Sequence, residues 1–135
     1  MTRRQMRESA FKLIFEKQFK DEESPDEILA LTADIGDIEI SAEVRALFEG
    51  TVTKSAELDE IIAIYSPKRL MSRIPRINVA ILRLALYEIL YEKDMPMSVA
   101  INEAVELSKK FSQKEDAAFV NGVLGAYARD HEDGQ

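Results

Sequence analysis

Three arginines stand within the first seven residues, in MTRRQMRESAFKLIF. The pattern behind them predicts the opening turns of a helix. Arg3, Arg4 and Arg7 fall at i, i+1 and i+4, so both Arg3 and Arg4 neighbour Arg7 on a helical surface. Like charges at that spacing repel by about 0.2–0.5 kcal/mol per pair, and arginines at a helix N-terminus sit at the wrong end of the macrodipole. Guanidinium groups in this arrangement suit phosphate oxygens, each neutralised phosphate adding a counterion-release increment. A solvated basic terminus is the competing explanation, and composition alone favours it. The apolar positions Met6, Ala10, Leu13 and Ile14 are expected to face elsewhere and leave the arginines clear. A second basic set, Lys68, Arg69, Arg73 and Arg76, lies in mid-chain. Phe119 opens FVNGVL, where an aromatic could stack on an unpaired base or simply belong to the core.

Other chemistry is missing from the sequence. The chain has no cysteine and one histidine, His131, in the polar ending HEDGQ, which is expected to fray over residues 131–135. Zinc-ligand or EF-hand spacing does not occur. Gly122-Val123-Leu124-Gly125 lacks the lysine and the strand context of a phosphate loop. No serine has a base at a suggestive spacing. Neither an enzyme, a metal nor a cofactor is called for. The start has no apolar stretch behind its charges, and no apolar run approaches a membrane span, so a cytoplasmic protein is expected.

With 135 residues, 46% hydrophobic and 32% charged, the chain reads as one globular domain over 1–135. Its net charge of -7 is unevenly spread. Residues 1–20 hold six basic and two acidic groups, residues 21–63 two and thirteen, residues 64–93 six and two, and residues 94–135 four and eight. Two basic blocks thus interrupt an acidic chain that would repel a polyanion at long range.

Low Gly and Pro content and repeated 3.6-residue periodicity predict an all-α fold, a compact bundle of six or seven helices. The first helix should span about Arg3 to Phe19. Ser24, Pro25 and Glu27 signal the start of a second, to about Ala33. Ser41 should cap a long third helix running to Tyr65, with Gly50 marking close packing or a bend. RINVAILRLALYEILYEKD is apolar nearly all round and belongs at the centre of a bundle. An amphipathic helix follows in SVAINEAVELSKKF, with Met95 and Met97 as loop and core filler. Ser112 and Glu115 form an expected capping box for the last helix. Within the central helix, Arg83 and Glu88 need partners, because a buried unpaired charge costs several kcal/mol. Asn102, Glu103 and Asn121 could supply them as a structural polar network.

Taken in order, the arginine-rich start with RESA, ILRLALYE, INEAVELSK and FVNGVL resembles the bacterial transcription antitermination factor NusB family over nearly the whole chain. The resemblance implies two packed helical subdomains and a non-enzymatic role. It implies binding to boxA-type single-stranded RNA of ribosomal RNA operons together with NusE, a small-subunit ribosomal protein. Other Nus factors and RNA polymerase would join indirectly. It assigns RNA contacts to Arg3, Arg4, Arg7, Glu115 and Phe119, and a NusE-facing side to Phe15 and Asn78; beside it, the second basic block of Lys68, Arg69, Arg73 and Arg76 is expected to hold further phosphates. Ala117 and Ala118 depart from the polar or basic residues of some members, removing possible RNA contacts. Two rivals remain: the NusB-like RNA-binding domain of a ribosomal-RNA cytosine methyltransferase, and a structural helical homodimer with its RNA face covered.

Overall fold

The computed structural model describes residues 1–66 and 71–131. Among them are seven α-helices, one 3₁₀ turn and no strand. The chain divides into two compact units, Met1–Lys54 and Ser55–Gln135.

The first unit holds α1 (Arg3–Lys17), α2 (Pro25–Ile35) and α3 (Ala42–Thr53). Thr2 caps α1 reciprocally: its hydroxyl accepts from the Gln5 N–H at 3.1 Å, and its own N–H donates to Gln5 Oε1 at 2.7 Å. Ser24 and Glu27 repeat the device at α2, where Pro25 takes the first helical position. The Ser24 N–H and hydroxyl hold the Glu27 carboxyl below its usual range. Gly36 ends α2 in the left-handed region at φ 78°. The helix α1 packs on α3 and α2, burying Ala10, Phe11, Leu13 and Ile14.

The expected long helix from Ser41 to Tyr65 is two helices. The chain leaves helical geometry at Lys54 (φ -96°, ψ 9°), the last residue of the first unit. Gly50 is not the break. The β-branched run Thr51-Val52-Thr53 precedes it, and such residues are weak helix formers.

The second unit holds α4 (Ser55–Tyr65), the 3₁₀ turn Met71–Arg73, α5 (Arg76–Tyr91), α6 (Met97–Phe111) and α7 (Lys114–His131). Its centre is α5, which packs against α4, α6 and α7 and buries nine residues, among them Val79, Ile81, Leu82, Leu84 and Leu86. The partner of Arg83 is not an asparagine or glutamate on the later helices. It is Asp59 on α4, gripped through two bonds of 2.8 and 2.7 Å. Glu88 is fully buried as expected, whereas Asn102 and Asn121 are exposed and stand outside any buried network. Two tyrosines tie α4 further: Tyr91 donates to Glu57 at 2.6 Å and Tyr65 to Asp130 at 2.7 Å. No described helix is long and apolar enough to cross a membrane.

The Arg83–Asp59 pair is partly exposed, so its loss should cost between the exposed and buried extremes, about 1–3 kcal/mol. Urea unfolding of Arg83→Met, Asp59→Asn and the double variant tests this. The double variant should lose less than the two single losses together, and simple additivity would contradict the pairing.

Candidate nucleic-acid interface

At the amino end, Arg3 and Arg4 are the first two residues of α1, placed there by the Thr2–Gln5 cap. Arg4 is exposed and Arg3 half-buried. The expectation that all three arginines stand clear of the apolar stripe fails at Arg7, which is 3% exposed. The reason is periodicity. Arg7 precedes the buried Ala10, Phe11 and Ile14 by three, four and seven residues, so it lies on the packed face. All three arginines already interact with other groups of the chain, and a phosphate would have to exchange for those partners.

In the second unit, the start of α7 is organised by Asp116, a residue the sequence pattern did not single out. The expected box between Ser112 and Glu115 is displaced by one position. Gln113 precedes the helix, and its N–H donates to Asp116 Oδ2 at 3.2 Å, while the Ser112 hydroxyl donates to the same oxygen. The other oxygen, Oδ1, accepts from Asn78 Nδ2 at 3.0 Å. A carboxylate can only accept, so the Asn78 amide must present its nitrogen. Its oxygen is buried with no hydrogen-bond partner. Asn78 is 1% exposed and therefore does not form a partner-facing surface, contrary to expectation.

Because Asn78 sits in the first turn of α5, this bond joins the N-terminal ends of α5 and α7. Pro75 precedes α5 without any side-chain cap; its carbonyl accepts from the Asn78 and Val79 N–H groups, and no cap side chain serves the N–H groups of the two residues before them. Arg76 begins α5, Arg73 ends the 3₁₀ turn just before it, and both are exposed. An uncapped helix start flanked by two arginines is a favourable place for a phosphate. Lys68 and Arg69 lie outside the described residues.

From this anchored start, α7 turns Glu115, Ala118, Phe119 and Gly122 to one side at helical spacing. Glu115, Ala118 and Gly122 are exposed, and Phe119 is half-buried. A side chain added at Gly122 would meet nothing within 4 Å, so the surface one turn beyond Phe119 is open. Ala117 is buried and unable to contact a ligand; Ala118 is a bare exposed position. This surface combines an aromatic ring, an exposed carboxylate that could accept from a base amino group, and a flanking cationic helix start. Among the described residues no group of three or more His, Cys, Asp or Glu side chains could hold a metal.

The first unit carries a separate apolar cavity of about 360 Å³ lined by Phe15, Phe19, Ile35 and Ile38, with Lys12, Glu16, Thr32 and Asp37 as its polar members. Phe15 stacks on Phe11 at 6.1 Å and meets Phe19 edge-on at 5.1 Å. Phe19 and Ile35 are 57% and 63% exposed. The periodicity that marked Phe15 did not reveal this surface, because Ile35 and Ile38 come from the end of α2 and the loop beyond it.

A family model described as the NusB family matches residues 4–129. A transcription antitermination protein NusB from Agathobacter rectalis is 40% identical over 131 residues, covering 95% of this chain and all of that protein. A solved NusB from T. maritima is 32% identical with a TM-score of 0.83, covering 97% of this chain and 93% of that one. A solved complex described as antitermination factors NusB and NusE with double-stranded RNA matches at a TM-score of 0.81 over 95% and 96% of the two chains. At 24% identity, that is a likeness of fold.

Replacing Asp116 by Ala removes a helix-start acceptor, worth about 1 kcal/mol, and strands the buried Asn78 amide, worth about 1–3 kcal/mol more. Thermal or urea unfolding should show a loss of that combined size. A loss under 0.5 kcal/mol, as for an ordinary surface site, would show that Asp116 does not anchor α7.

Proposed function

Because the chain belongs to the NusB family of transcription antitermination proteins, we propose that it is a non-enzymatic cytoplasmic factor that binds boxA-type single-stranded RNA of ribosomal RNA operons with NusE. The observation that carries the proposal is the surface at one end of the second unit. There Phe119, flanked by exposed Glu115, Ala118 and Gly122, stands on an α7 start that Asp116 bonds to the uncapped, arginine-flanked start of α5. A flipped or single-stranded base stacks on Phe119, Glu115 accepts from a base amino group, and Arg73 and Arg76 hold phosphates. Arg3 and Arg4 are a separate candidate point of phosphate contact on the first unit. Arg7, buried in the packed face of α1, positions that helix end and at most reaches a phosphate after exchanging its present partner. Phosphate contacts fix register and base contacts specify.

NusE is the proposed protein partner, as in the solved complex whose description names both factors. Its docking surface on this chain is the cavity of Phe15, Phe19 and Ile35, whose exposed apolar side chains suit an apolar anchor of the partner.

Fluorescence titration of boxA RNA at several salt concentrations tests the RNA surface. Arg3→Ala/Arg4→Ala should lower the magnitude of the log–log salt slope by about 1.4, at about 0.7 per phosphate. Phe119→Ala should cost about 1–3 kcal/mol of binding with the slope unchanged. Gly122→Ala should raise helix stability by about 1 kcal/mol yet weaken RNA binding by covering the open surface. Wild-type affinity and slope in all three variants would refute the surface.

Calorimetry with purified NusE tests the second surface. Phe19→Glu should reduce NusE affinity by at least tenfold and leave the affinity for RNA alone unchanged. Retention of NusE binding would place the partner elsewhere.

A further inference from the structure

The opposite end of α7 carries a constellation that RNA binding does not use. His131 was expected in a frayed tail, yet it is the last residue of α7 and is held on several sides. Its ring stacks on Tyr127, with centroids 4.0 Å apart and planes 18° from parallel. Tyr65 stands edge-on to both rings, and its hydroxyl is fixed by Asp130. His131 Nδ1 lies 2.8 Å from the Tyr127 carbonyl oxygen. A carbonyl oxygen only accepts, so Nδ1 must carry the proton. In the neutral ring the lone pair is then on Nε2, the arrangement in which a backbone carbonyl orients a metal-binding imidazole.

Beside this ring is a cavity of about 380 Å³, whose lining includes His131, Met95, Met97, Glu92 and Lys93. Met95 and Met97 are separated only by Pro96, which begins the turn into α6. The lining therefore brings one histidine and two methionines to the same cavity. Thioethers are soft, neutral ligands that select copper(I) over hard or borderline divalent ions. The carbonyl end of α7 and the Glu92 carboxylate favour a cation there. The Lys93 ammonium disfavours a doubly charged ion more than a singly charged one.

We propose that His131 Nε2 and the sulfurs of Met95 and Met97 form a binding site for a soft monovalent d¹⁰ cation, copper(I), with silver(I) as its redox-stable equivalent. Binding ties the α5–α6 connection to the end of α7. It requires no change in oxidation state.

Silver(I) titrated into the full chain in chloride-free buffer tests the site, followed by calorimetry and by tyrosine fluorescence, which no tryptophan obscures. One equivalent should bind in the tightest phase and quench the signal. Met95→Leu/Met97→Leu, which keeps apolar volume, should weaken that phase at least tenfold while circular dichroism and the metal-free melting temperature stay unchanged. His131→Gln should weaken it comparably. If the double variant loses helicity, Met97→Leu alone serves in its place, with the same tenfold criterion. Zinc(II) should bind more weakly than silver(I). Silver bound equally well by the variants, as at Met1, Met6 or Met71, or zinc bound more tightly than silver, would overturn the site.

Discussion

The carboxylate of Asp116 is the constraint on which the second unit's proposed surface depends. It reaches the Gln113 N–H and the Ser112 hydroxyl with one oxygen and the Asn78 amide with the other. The first two bonds fix where α7 begins, and the third fixes what that beginning is attached to. Its negative charge also lies at the positive end of the α7 dipole. Once the first turn is set, helical geometry alone turns Glu115, Ala118, Phe119 and Gly122 to a common side. Asn78, fully buried and unable to serve any outside partner, acts as the other half of the joint.

On the proposed function, selectivity comes from where the charges are placed. A chain of net charge -7 repels a polyanion at a distance, so nonspecific attraction is weak. Cationic groups occur at two helix starts: Arg3 and Arg4 at the capped start of α1, Arg73 and Arg76 at the start of α5, which has no side-chain cap. On the proposed function, affinity arises from short-range contacts with a few phosphates and one stacked base, and a basic protein partner offsets the remaining negative charge. The acidic 21–63 stretch is not spread evenly in its interactions either: Asp26 and Glu49 grip Arg45, and Asp59 grips Arg83.

Local signals in the sequence located most helices because their causes are local. The Ser24–Pro25–Glu27 start and the all-round apolarity of α5 act within a few residues, and both appear in the structure as read. Where a feature depends on distant contacts, the sequence was silent or misleading. No glycine or proline marks the break at Lys54. Arg83 could have met any acid on a neighbouring helix, and only packing selects Asp59. Glu115 and Asp116 are adjacent acids, and the choice between them follows from the position of Asn78, 38 residues away. Arg7 differs: its spacing to Ala10, Phe11 and Ile14 already places it on the buried face, against what its charge suggests. Thr2–Gln5 likewise carried a readable capping pattern. Both candidate functional surfaces remain visible in part, through Phe119 and Phe15, while their surroundings are assembled from separate elements.

The most direct measurement is a backbone amide NMR titration of the isotope-labelled chain with boxA RNA. Resonances of residues 115–122 and of Arg73 and Arg76 should shift together and saturate at one equivalent, while those of residues 127–131 stay in place. Saturable binding that leaves residues 115–122 unmoved would contradict the proposed surface.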